Sequence, residues 1–436
     1  MCGIVGYVGF RKASDVIVDG LTKLEYRGYD SAGIAVNDGK EIEFQKYKGR
    51  LNVLSENLES KPMEGTIGIG HTRWATHGVP SDVNSHPHLN MDETIAVVHN
   101  GIIENYMEIK EWLVSEGVKF KSETDTEVIA HLVDHYYEGD LLQAVFKAIK
   151  KLRGAYALGV VCKDNPEQLV AVRKDSPLIV GIGENENFIA SDVPAILKYT
   201  RDVYFLDNGE VVTLEKNKVT IYNEKEEKIT KAPFHVMWDV EAASKGGYDH
   251  FMIKEINEQP NGIKETLVRR LDENGKIKLD DIKLTKEDLD EINKVYIVAC
   301  GTAYNAGITG RYAIERFAKI AVETDVASEF RYRNPFIDDK TLIIVVSQSG
   351  ETADTLAVVR EGKEKGARVL AITNVVGSSI AREADDVFYT WAGPEVAVAS
   401  TKAYTTQLVA LYMIALDMGI KLSLIHISEP TRHSLI

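Results

Sequence analysis

The chain has 436 residues, of which 44% are hydrophobic and 27% are charged, an ordinary composition for a globular protein. That length exceeds what a single hydrophobic core supports, so two or three domains are expected. The formal net charge is −15, and this acidic excess argues against a nucleic-acid-binding protein, which needs clustered Lys and Arg.

The chain start and the cysteines set the expected compartment. The start lacks the charged and apolar regions of a signal peptide, and no continuous apolar run reaches the roughly 18 residues of a membrane span. The three cysteines are far apart and form no CxxC pair, which disfavours disulfides and a zinc site. We therefore expect a cytoplasmic protein with no metal, no cofactor, and neither nucleic acid nor a membrane as partner.

The first six residues combine a potential nucleophile with a strand pattern. Removal of Met1 would leave Cys2 carrying a thiol and a free α-amine, whose pKa near ~7.7–8.0 allows it to act as base for its own nucleophile. The residues that follow, 3–9, read as a strand that would hold this terminus in place. The alternative is that Cys2 is a small buried residue that happens to stand second.

Residues 1–217 are predicted to form stacked sheets flanked by helices. The helix patterns begin at Val16, at Thr124, where Thr124 and Glu127 match a capping box, and at Leu141. Short apolar or alternating strands bounded by turn residues are predicted at 65–71, 94–99, 155–161, 168–173 and 187–191.

Two polar stretches in this part indicate chemistry. Residues 70–78 follow a strand and include Arg73, whose planar fork suits a carboxylate; a solvated surface loop is the alternative. Asn100 and Gly101 also follow a strand, where they form either a hairpin turn or an oxyanion hole made by a side-chain amide and a backbone N–H.

The acidic and histidine side chains nearby favour simpler roles. Asp125 is predicted to lie in the first turn of a helix, where capping is the favoured role on sequence grounds alone. His131 and His135 face away from the apolar side of that helix and are predicted to be solvated rather than metal ligands.

From residue 218 the pattern changes twice. Residues 218–290 are rich in Lys and Glu and are predicted to be a connecting region with amphipathic helices at 253–272 and 285–293. Residues 291–421 alternate apolar strands, polar turns and helices, which indicates a doubly wound parallel sheet. Residues 422–436 resemble a translated sequencing adapter, and we expect that the native chain continues past about residue 420 instead.

The turn Ser347-Gln348-Ser349-Gly350-Glu351-Thr352 follows one of these strands. Hydroxyls and backbone N–H groups at a helix N-terminus can bind an anion without a lysine. A simple helix cap would explain one or two hydroxyls but not the whole set. Thr302 and Ser400 lie at comparable strand ends and are candidates to complete the pocket.

Taken together, these motifs resemble the glutamine–fructose-6-phosphate aminotransferases, which are class II glutamine amidotransferases. The resemblance rests on Cys-Gly-Ile-Val-Gly at the start, on the stretches at 27–33, 71–74, 99–101 and 122–127, and on those at 299–302, 328–332 and 347–352. It implies an N-terminal-nucleophile glutaminase, a four-layer αββα sandwich, joined to an αβα sugar-isomerase domain.

The resemblance also implies roles for single residues. Cys2 would attack the glutamine amide, with Asn100 and Gly101 holding the oxyanion. Glutamine would be bound by four residues: Arg73, Thr76, His77 and Asp125. Trp74 would gate the passage of ammonia.

The sugar-isomerase side would bind the phosphate of fructose 6-phosphate, and members of the family form dimers or larger assemblies. The product would be glucosamine 6-phosphate, the first step of hexosamine synthesis. The implied phosphate-binding residues are Thr302, Ser347, Gln348, Ser349, Thr352 and Ser400.

Two departures from the family pattern qualify this reading. Ala303 stands where many members have serine, and the family's later isomerisation residues have no counterpart, so glutaminase activity and sugar-phosphate binding are expected without product. Amidophosphoribosyltransferases, asparagine synthetases and glutamate synthases share the first half, but the 347–352 turn disfavours them. A non-catalytic sugar-phosphate sensor with an inactive glutaminase is the alternative from another functional class.

Overall fold

The computed structural model of the protein describes residues 2–75, 78–236 and 245–424. The chain divides into two compact units, residues 1–240 and 241–436. The predicted connecting region 218–290 is therefore not one element, because its first part forms strands of the first unit. Of the predicted non-native tail 422–436, residues 425–436 lie outside the described residues.

The first unit is built on an eight-stranded and a seven-stranded antiparallel sheet. Its strands are β1 Gly3–Val8, β2 Ser31–Asn37, β3 Ile42–Lys48, β4 Ile67–Arg73, β5 His88–Leu89, β6 Ile95–Ile103, β7 Gly154–Cys162, β8 Leu169–Lys174, β9 Ile179–Ile182, β10 Asn187–Ala190, β11 Asp202–Phe205, β12 Val211–Glu215, β13 Lys218–Tyr222, β14 Lys228–Ile229 and β15 Phe234–His235. Its helices are α1 Ala13–Leu24, α2 Leu51–Ser60, α3 Tyr106–Ser115, α4 Glu127–His135 and α5 Leu141–Ile149.

Three hydrophobic cores arrange these elements in four layers. One core joins α1 and α2 to the outer face of the eight-stranded sheet, whose order is β15-β11-β9-β10-β1-β4-β2-β3. A second lies between the two sheets. The third joins α3, α4 and α5 to the outer face of the other sheet, whose order is β14-β13-β12-β8-β7-β6-β5. This is the predicted αββα arrangement.

The second unit is a parallel αβα structure. Its strands are β16 Lys294–Ala299, β17 Ala321–Val326, β18 Thr341–Ser347, β19 Arg368–Thr373 and β20 Asp386–Tyr389. Its helices are α6 Phe251–Val268, α7 Lys286–Glu291, α8 Thr302–Phe317, α9 Ala327–Tyr332, α10 Ala353–Glu364, α11 Ser379–Glu383 and α12 Lys402–Lys421. The strand order is β17-β16-β18-β19-β20, with α8 and α12 contributing to the core on one face and α9, α10 and α11 covering the other.

Helix α12 qualifies one expectation about the membrane. By length and mean hydropathy it is the one candidate membrane span among the described helices, although the sequence lacks a long continuous apolar run. Of the 18-residue window that meets the test, 56% is buried inside the protein, where α12 packs against α8 and α6. The buried core helix of a soluble protein passes the same test, so this finding is weak evidence for a span.

One local prediction in the first unit is wrong, and one of two open alternatives is excluded. Thr124 and Glu127 do not form a capping box: α4 begins at Glu127, and the Glu127 carboxylate accepts the backbone N–H groups of Lys121 and Ser122. The Asn100–Gly101 pair makes no hairpin turn, because β6 continues through both residues in register with β7. The Glu127 carboxylate is used by the segment that precedes the helix, and the conformation of Asn100 and Gly101 is set by pairing with residues 156–157 of β7.

Substitution of Phe330 should test the packing of the second unit. Phe330 is fully buried, and its ring meets that of Tyr296 edge-on at a centroid distance of 5.0 Å. Phe330→Ala should lower the free energy of unfolding by about 3–5 kcal/mol, since it leaves a cavity in the core. Urea denaturation followed by circular dichroism would measure this. Phe336→Ala is the control, because that side chain is 91% exposed and its loss should change stability by less than about 0.5 kcal/mol.

Candidate functional site

Cys2 is held by the strand that follows it. Strand β1 lies inside the eight-stranded sheet, paired with β10 on one side and β4 on the other, and Gly3 stands opposite Thr72. All six residues of β1 are buried. A strand therefore holds the start of the chain, as the sequence predicts, and the pairing places that start beside the end of β4.

The end of β4 supplies the contacts of the thiol. The Cys2 Sγ accepts a hydrogen bond from the Trp74 backbone N–H at 3.2 Å and lies 3.6 Å from the Trp74 carbonyl oxygen. Burial raises the pKa of the Cys2 thiol, while the Trp74 backbone hydrogen bond and the positive charge of Arg73 lower it. Because the raised pKa favours the neutral thiol, the side chain needs a base before it can act as a nucleophile.

Asn100 reaches the same residue from the other sheet. Its Nδ2 donates to the Cys2 carbonyl oxygen at 2.9 Å, a contact between residues 98 positions apart. The next residue, Gly101, has φ +133°, and an added Cβ would overlap the Ala155 carbonyl oxygen. Only glycine allows the backbone to take this course next to Asn100.

Arg73 and Asp125 are the buried charged candidates. Arg73 is 4% exposed, and one of its Nη atoms donates to the Gly78 carbonyl oxygen at 3.2 Å. Asp125 is 8% exposed and accepts the Ile103 backbone N–H at 2.8 Å, at the end of β6. Asp125 precedes α4 and bonds to β6, so its predicted capping role is wrong.

Of the remaining predicted residues of this site, the structure describes only Trp74. Thr76 and His77 lie outside the described residues. Trp74 is 41% exposed, and its ring meets the Tyr29 ring edge-on at 5.0 Å between centroids. The bulky side chain next to Cys2 thus lies at the surface of the first unit.

Asp30 is a contributor that the sequence reasoning did not single out. Its carboxylate accepts the Ala75 backbone N–H, and its own backbone N–H donates to the Arg73 carbonyl oxygen at 3.1 Å. Asp30 therefore fixes the chain on both sides of Trp74. Asp30 lies in the motif at residues 27–33, but nothing in that motif distinguished it from its neighbours.

The histidines of the first unit are more buried than predicted. His131 is 3% exposed, lies 3.4 Å from a Glu127 carboxylate oxygen and touches the Phe120 ring, so its predicted solvation is wrong, whereas His135 is exposed. Within the described residues, no group of three or more His, Cys, Asp or Glu side chains could hold a metal ion.

A small cavity of about 130 Å³ lies elsewhere in the first unit, and Lys46, His88 and Glu127 are among its lining residues. The Lys46 ammonium donates to three backbone carbonyl oxygens between residues 83 and 87, at 2.9–3.2 Å. Burial lowers the Lys46 pKa to about 8. The Lys46 ammonium thus holds the 83–87 loop through hydrogen bonds. None of the residues around Cys2 lines this cavity.

In the second unit the polar turn lies at the point where the strand order switches from one side of β16 to the other. β17 and β18 flank β16 on opposite sides, so β16 and β18 form the switch point beyond which ligands bind in such sheets. Thr302 begins α8 just after β16, and residues 347–352 connect β18 to α10. Both groups therefore lie at the same edge of the sheet.

The 347–352 turn is closed by its own hydroxyls. The Ser347 Oγ lies 3.0 Å from the Thr352 Oγ1 and accepts the Gly350 backbone N–H at 3.0 Å. The Ser349 Oγ accepts the Glu351 backbone N–H at 3.2 Å. Gly350 has φ +66°, and an added Cβ there would overlap Ser378. This arrangement brings hydroxyls and backbone N–H groups together ahead of a helix.

Ser400 belongs to a different hydrogen-bonded group. Its hydroxyl donates to Glu395 at 2.9 Å, and the same carboxylate accepts the backbone N–H groups of Thr401 and Ala403. The carboxylate of Glu255, on α6, in turn accepts the N–H groups of Val396 and Ala397. Two carboxylates thus shape the loop that carries Ser400.

Comparison with known proteins agrees with this division. Residues 71–198 match the glutamine amidotransferase domain, and residues 288–417 match the SIS domain. The chain is 65% identical over 419 residues to glutamine–fructose-6-phosphate aminotransferase [isomerizing] of Clostridium perfringens, covering 96% of this chain and 69% of the relative. The corresponding protein of Caldanaerobacter subterraneus is 64% identical over 421 residues, covering 97% and 69%.

One solved structure, the C-terminal domain of glucosamine-fructose-6-phosphate aminotransferase from Francisella tularensis, is 46% identical, with a TM-score of 0.40 over 42% of this chain and 51% of that chain. Fold, site and domain matches together define a class II glutamine amidotransferase joined to an SIS domain. The chain belongs to the glutamine–fructose-6-phosphate aminotransferase [isomerizing] family.

Gly101→Ala should disturb the site more than its backbone angle alone explains. The new methyl group would overlap the Ala155 carbonyl oxygen, so β6 must shift next to Asn100. We expect glutamine hydrolysis to fall by roughly 10²-fold or more, measured as glutamate release. Gly117→Ala is the control: its φ is +95° and nothing lies within 4 Å of the new methyl. Equal losses in both variants would contradict the prediction.

Proposed function

We propose that this chain hydrolyses glutamine at Cys2 and binds the phosphate of fructose 6-phosphate at the 347–352 turn. These are two parts of the reaction for which the family is named, in which the glutamine amide nitrogen is transferred to fructose 6-phosphate. The products of that reaction are glucosamine 6-phosphate and glutamate. The observation that carries the proposal is the convergence on Cys2 of the Trp74 N–H from β4's end and the Asn100 amide from β6.

The Cys2 thiol is the proposed nucleophile, and its own α-amine, free once Met1 is removed, is the proposed base. The thiol proton passes to the amine as sulfur attacks the amide carbon. The amine then returns the proton to the departing nitrogen, which leaves as ammonia. Water hydrolyses the thioester, releasing glutamate and restoring the thiol. The raised thiol pKa supports the need for this base.

The tetrahedral intermediate carries a negative oxygen that needs hydrogen-bond donors. Asn100 Nδ2 and the Gly101 backbone N–H are the proposed donors, and the 2.9 Å hydrogen bond from Asn100 Nδ2 to the Cys2 backbone carbonyl oxygen supports this assignment. One such donor contributes roughly 10²–10³-fold to the rate.

The α-groups of glutamine have matching charged partners. The Arg73 guanidinium is proposed to bind the α-carboxylate and Asp125 the α-ammonium, with Thr76 and His77 assigned to the same subsite by family resemblance. Both charged side chains are nearly buried and tied to backbone groups, which pre-orders them for binding. Trp74 is proposed to cover the site from the surface.

The phosphate subsite relies on dipoles rather than on a full cation. Ser347, Ser349 and Thr352 supply hydroxyls, and the N-terminus of α10, where Thr352 makes no side-chain cap hydrogen bond, supplies backbone N–H groups and a partial positive charge. Gln348 and Thr302 lie at the same sheet edge, and Ser400 is proposed to join them on the 393–401 loop. This composition fits a dianionic phosphate at a parallel-sheet switch point.

Cys2→Ser tests the first part of the proposal. Serine is a much weaker nucleophile near neutral pH, so glutamate release should fall to background. Cys300→Ser is the matched control and should retain the parent rate, because Cys300 lies in the second unit. Intact-mass measurement must show that Met1 is absent from every sample. Retained hydrolysis in Cys2→Ser would reject the mechanism, and an inactive parent chain would favour a sugar-phosphate sensor.

Ser347→Ala tests the second part. The change removes the hydroxyl that bonds to Thr352 and Gly350, so the turn should bind phosphate less well. Titration calorimetry with fructose 6-phosphate should show affinity falling by roughly 10-fold, the loss of about one hydrogen bond to a charged group. Ser60→Ala, an exposed change in the first unit, should leave the affinity unchanged. Unchanged affinity in Ser347→Ala would place the phosphate elsewhere.

A further inference from the structure

His71 makes a direct contact with the Asn100 side chain. It lies on β4, two residues before Arg73, and is 1% exposed. Its Nε2 is 2.9 Å from Asn100 Oδ1 and 3.1 Å from the His99 backbone carbonyl oxygen. Because Asn100 is on β6, this contact joins the two sheets of the first unit immediately behind the amide that touches Cys2.

The His99 carbonyl oxygen determines where the His71 proton is. A carbonyl oxygen can only accept a hydrogen bond, so Nε2 must carry the hydrogen. The Asn100 atom that faces this N–H must then be an acceptor, which makes it Oδ1. The opposite orientation of the amide would turn two donors toward each other. His71 thereby fixes which side of the Asn100 amide faces Cys2.

Burial keeps His71 in this state. It lowers the pKa of His71 to about 3, so the ring remains neutral throughout the range in which an enzyme of this kind would be assayed. The His86 ring lies against it at a centroid distance of 4.0 Å, and His86 is itself bonded to Thr126 at 3.0 Å. The ring is thus held in position by packing as well as by hydrogen bonds.

We infer that His71 is a positioning residue for glutamine hydrolysis: its Nε2–H holds Asn100 Oδ1 and so aims Asn100 Nδ2 at the oxyanion formed on Cys2. This inference rests on the proposed glutaminase function. His71 itself touches no reacting atom. Its loss should leave glutamine binding nearly intact and weaken stabilisation of the transition state, because the amide then rotates between two orientations.

His71→Met and His71→Gln form the matched pair that tests it. Methionine has similar length but no donor, and we expect kcat to fall by roughly 10²-fold, comparable to the loss of one oxyanion donor, with KM changed by less than about threefold. Glutamine places an N–H near the former Nε2 position and should restore most of kcat. If a folded His71→Gln is as impaired as His71→Met, the donor role is rejected.

A double-mutant cycle with Asn100→Ala separates positioning from simple structural damage. If His71 acts through Asn100, then His71→Met should change kcat by less than about threefold once the amide is absent. An equal loss in both backgrounds would overturn the inference. If thermal melting shows that His71→Met does not fold, His71→Asn replaces it, since asparagine is too short to reach Asn100 from β4.

Cys2→Ser, assayed beside these variants, separates failure of the glutaminase function from failure of the positioning role. Activity remaining in Cys2→Ser would reject the glutaminase site and the positioning role together. An inactive Cys2→Ser with parent-like kcat in His71→Met would reject the positioning role alone.

Discussion

The pairing of β1 with β4 is the constraint on which the first site depends. Chain termini usually fray, yet here the second residue adjoins a strand buried along its whole length and paired on both sides. The register sets Gly3 opposite Thr72, which carries Cys2 to the level of Arg73 and Trp74. A shift by one residue would turn every side chain of β1 to the other face and remove the thiol from its partners.

The second requirement is a layer of buried polar side chains between the sheets. His71, His99 and Asn100 lie close together, and the His99 ring bonds to Thr126 at 2.9 Å. Burial lowers the pKa of both His71 and His99, so these rings add directed donors and acceptors without adding charge. Neutral hydrogen-bonding groups suit the proposed role of the Cys2 thiol, which would gain and lose a proton, because they do not compete for that proton.

Sequence reasoning succeeded where the pattern is long and local. The helix pattern that begins at Leu141 appears as α5, and the alternating strands, turns and helices of residues 291–421 appear as the parallel sheet β16–β20 with its helices. It failed where several chain courses fit the same pattern. The Thr124–Glu127 spacing allows a capping box, yet the Glu127 carboxylate bonds to the backbone of Lys121 and Ser122 in the preceding segment. Asn100 and Gly101 continue a strand because they pair with residues 156 and 157 of β7.

The same contrast applies to the two candidate sites. The 347–352 turn is contiguous, so its composition alone indicates an anion site, and its hydrogen bonds are largely internal. The site around Cys2 is assembled from β1, β4 and β6. Cys2 bonds there to Trp74, 72 positions away in the sequence, and to Asn100, 98 positions away. Motifs could suggest its members, but not that Asp30 would fix the chain at Ala75 or that His71 would orient Asn100. The contacts of Asp30 and His71 follow from sheet register, which a single sequence does not specify. They are the part of the candidate site that only the fold reveals, and in the proposed mechanism the orientation of the Asn100 amide depends on them.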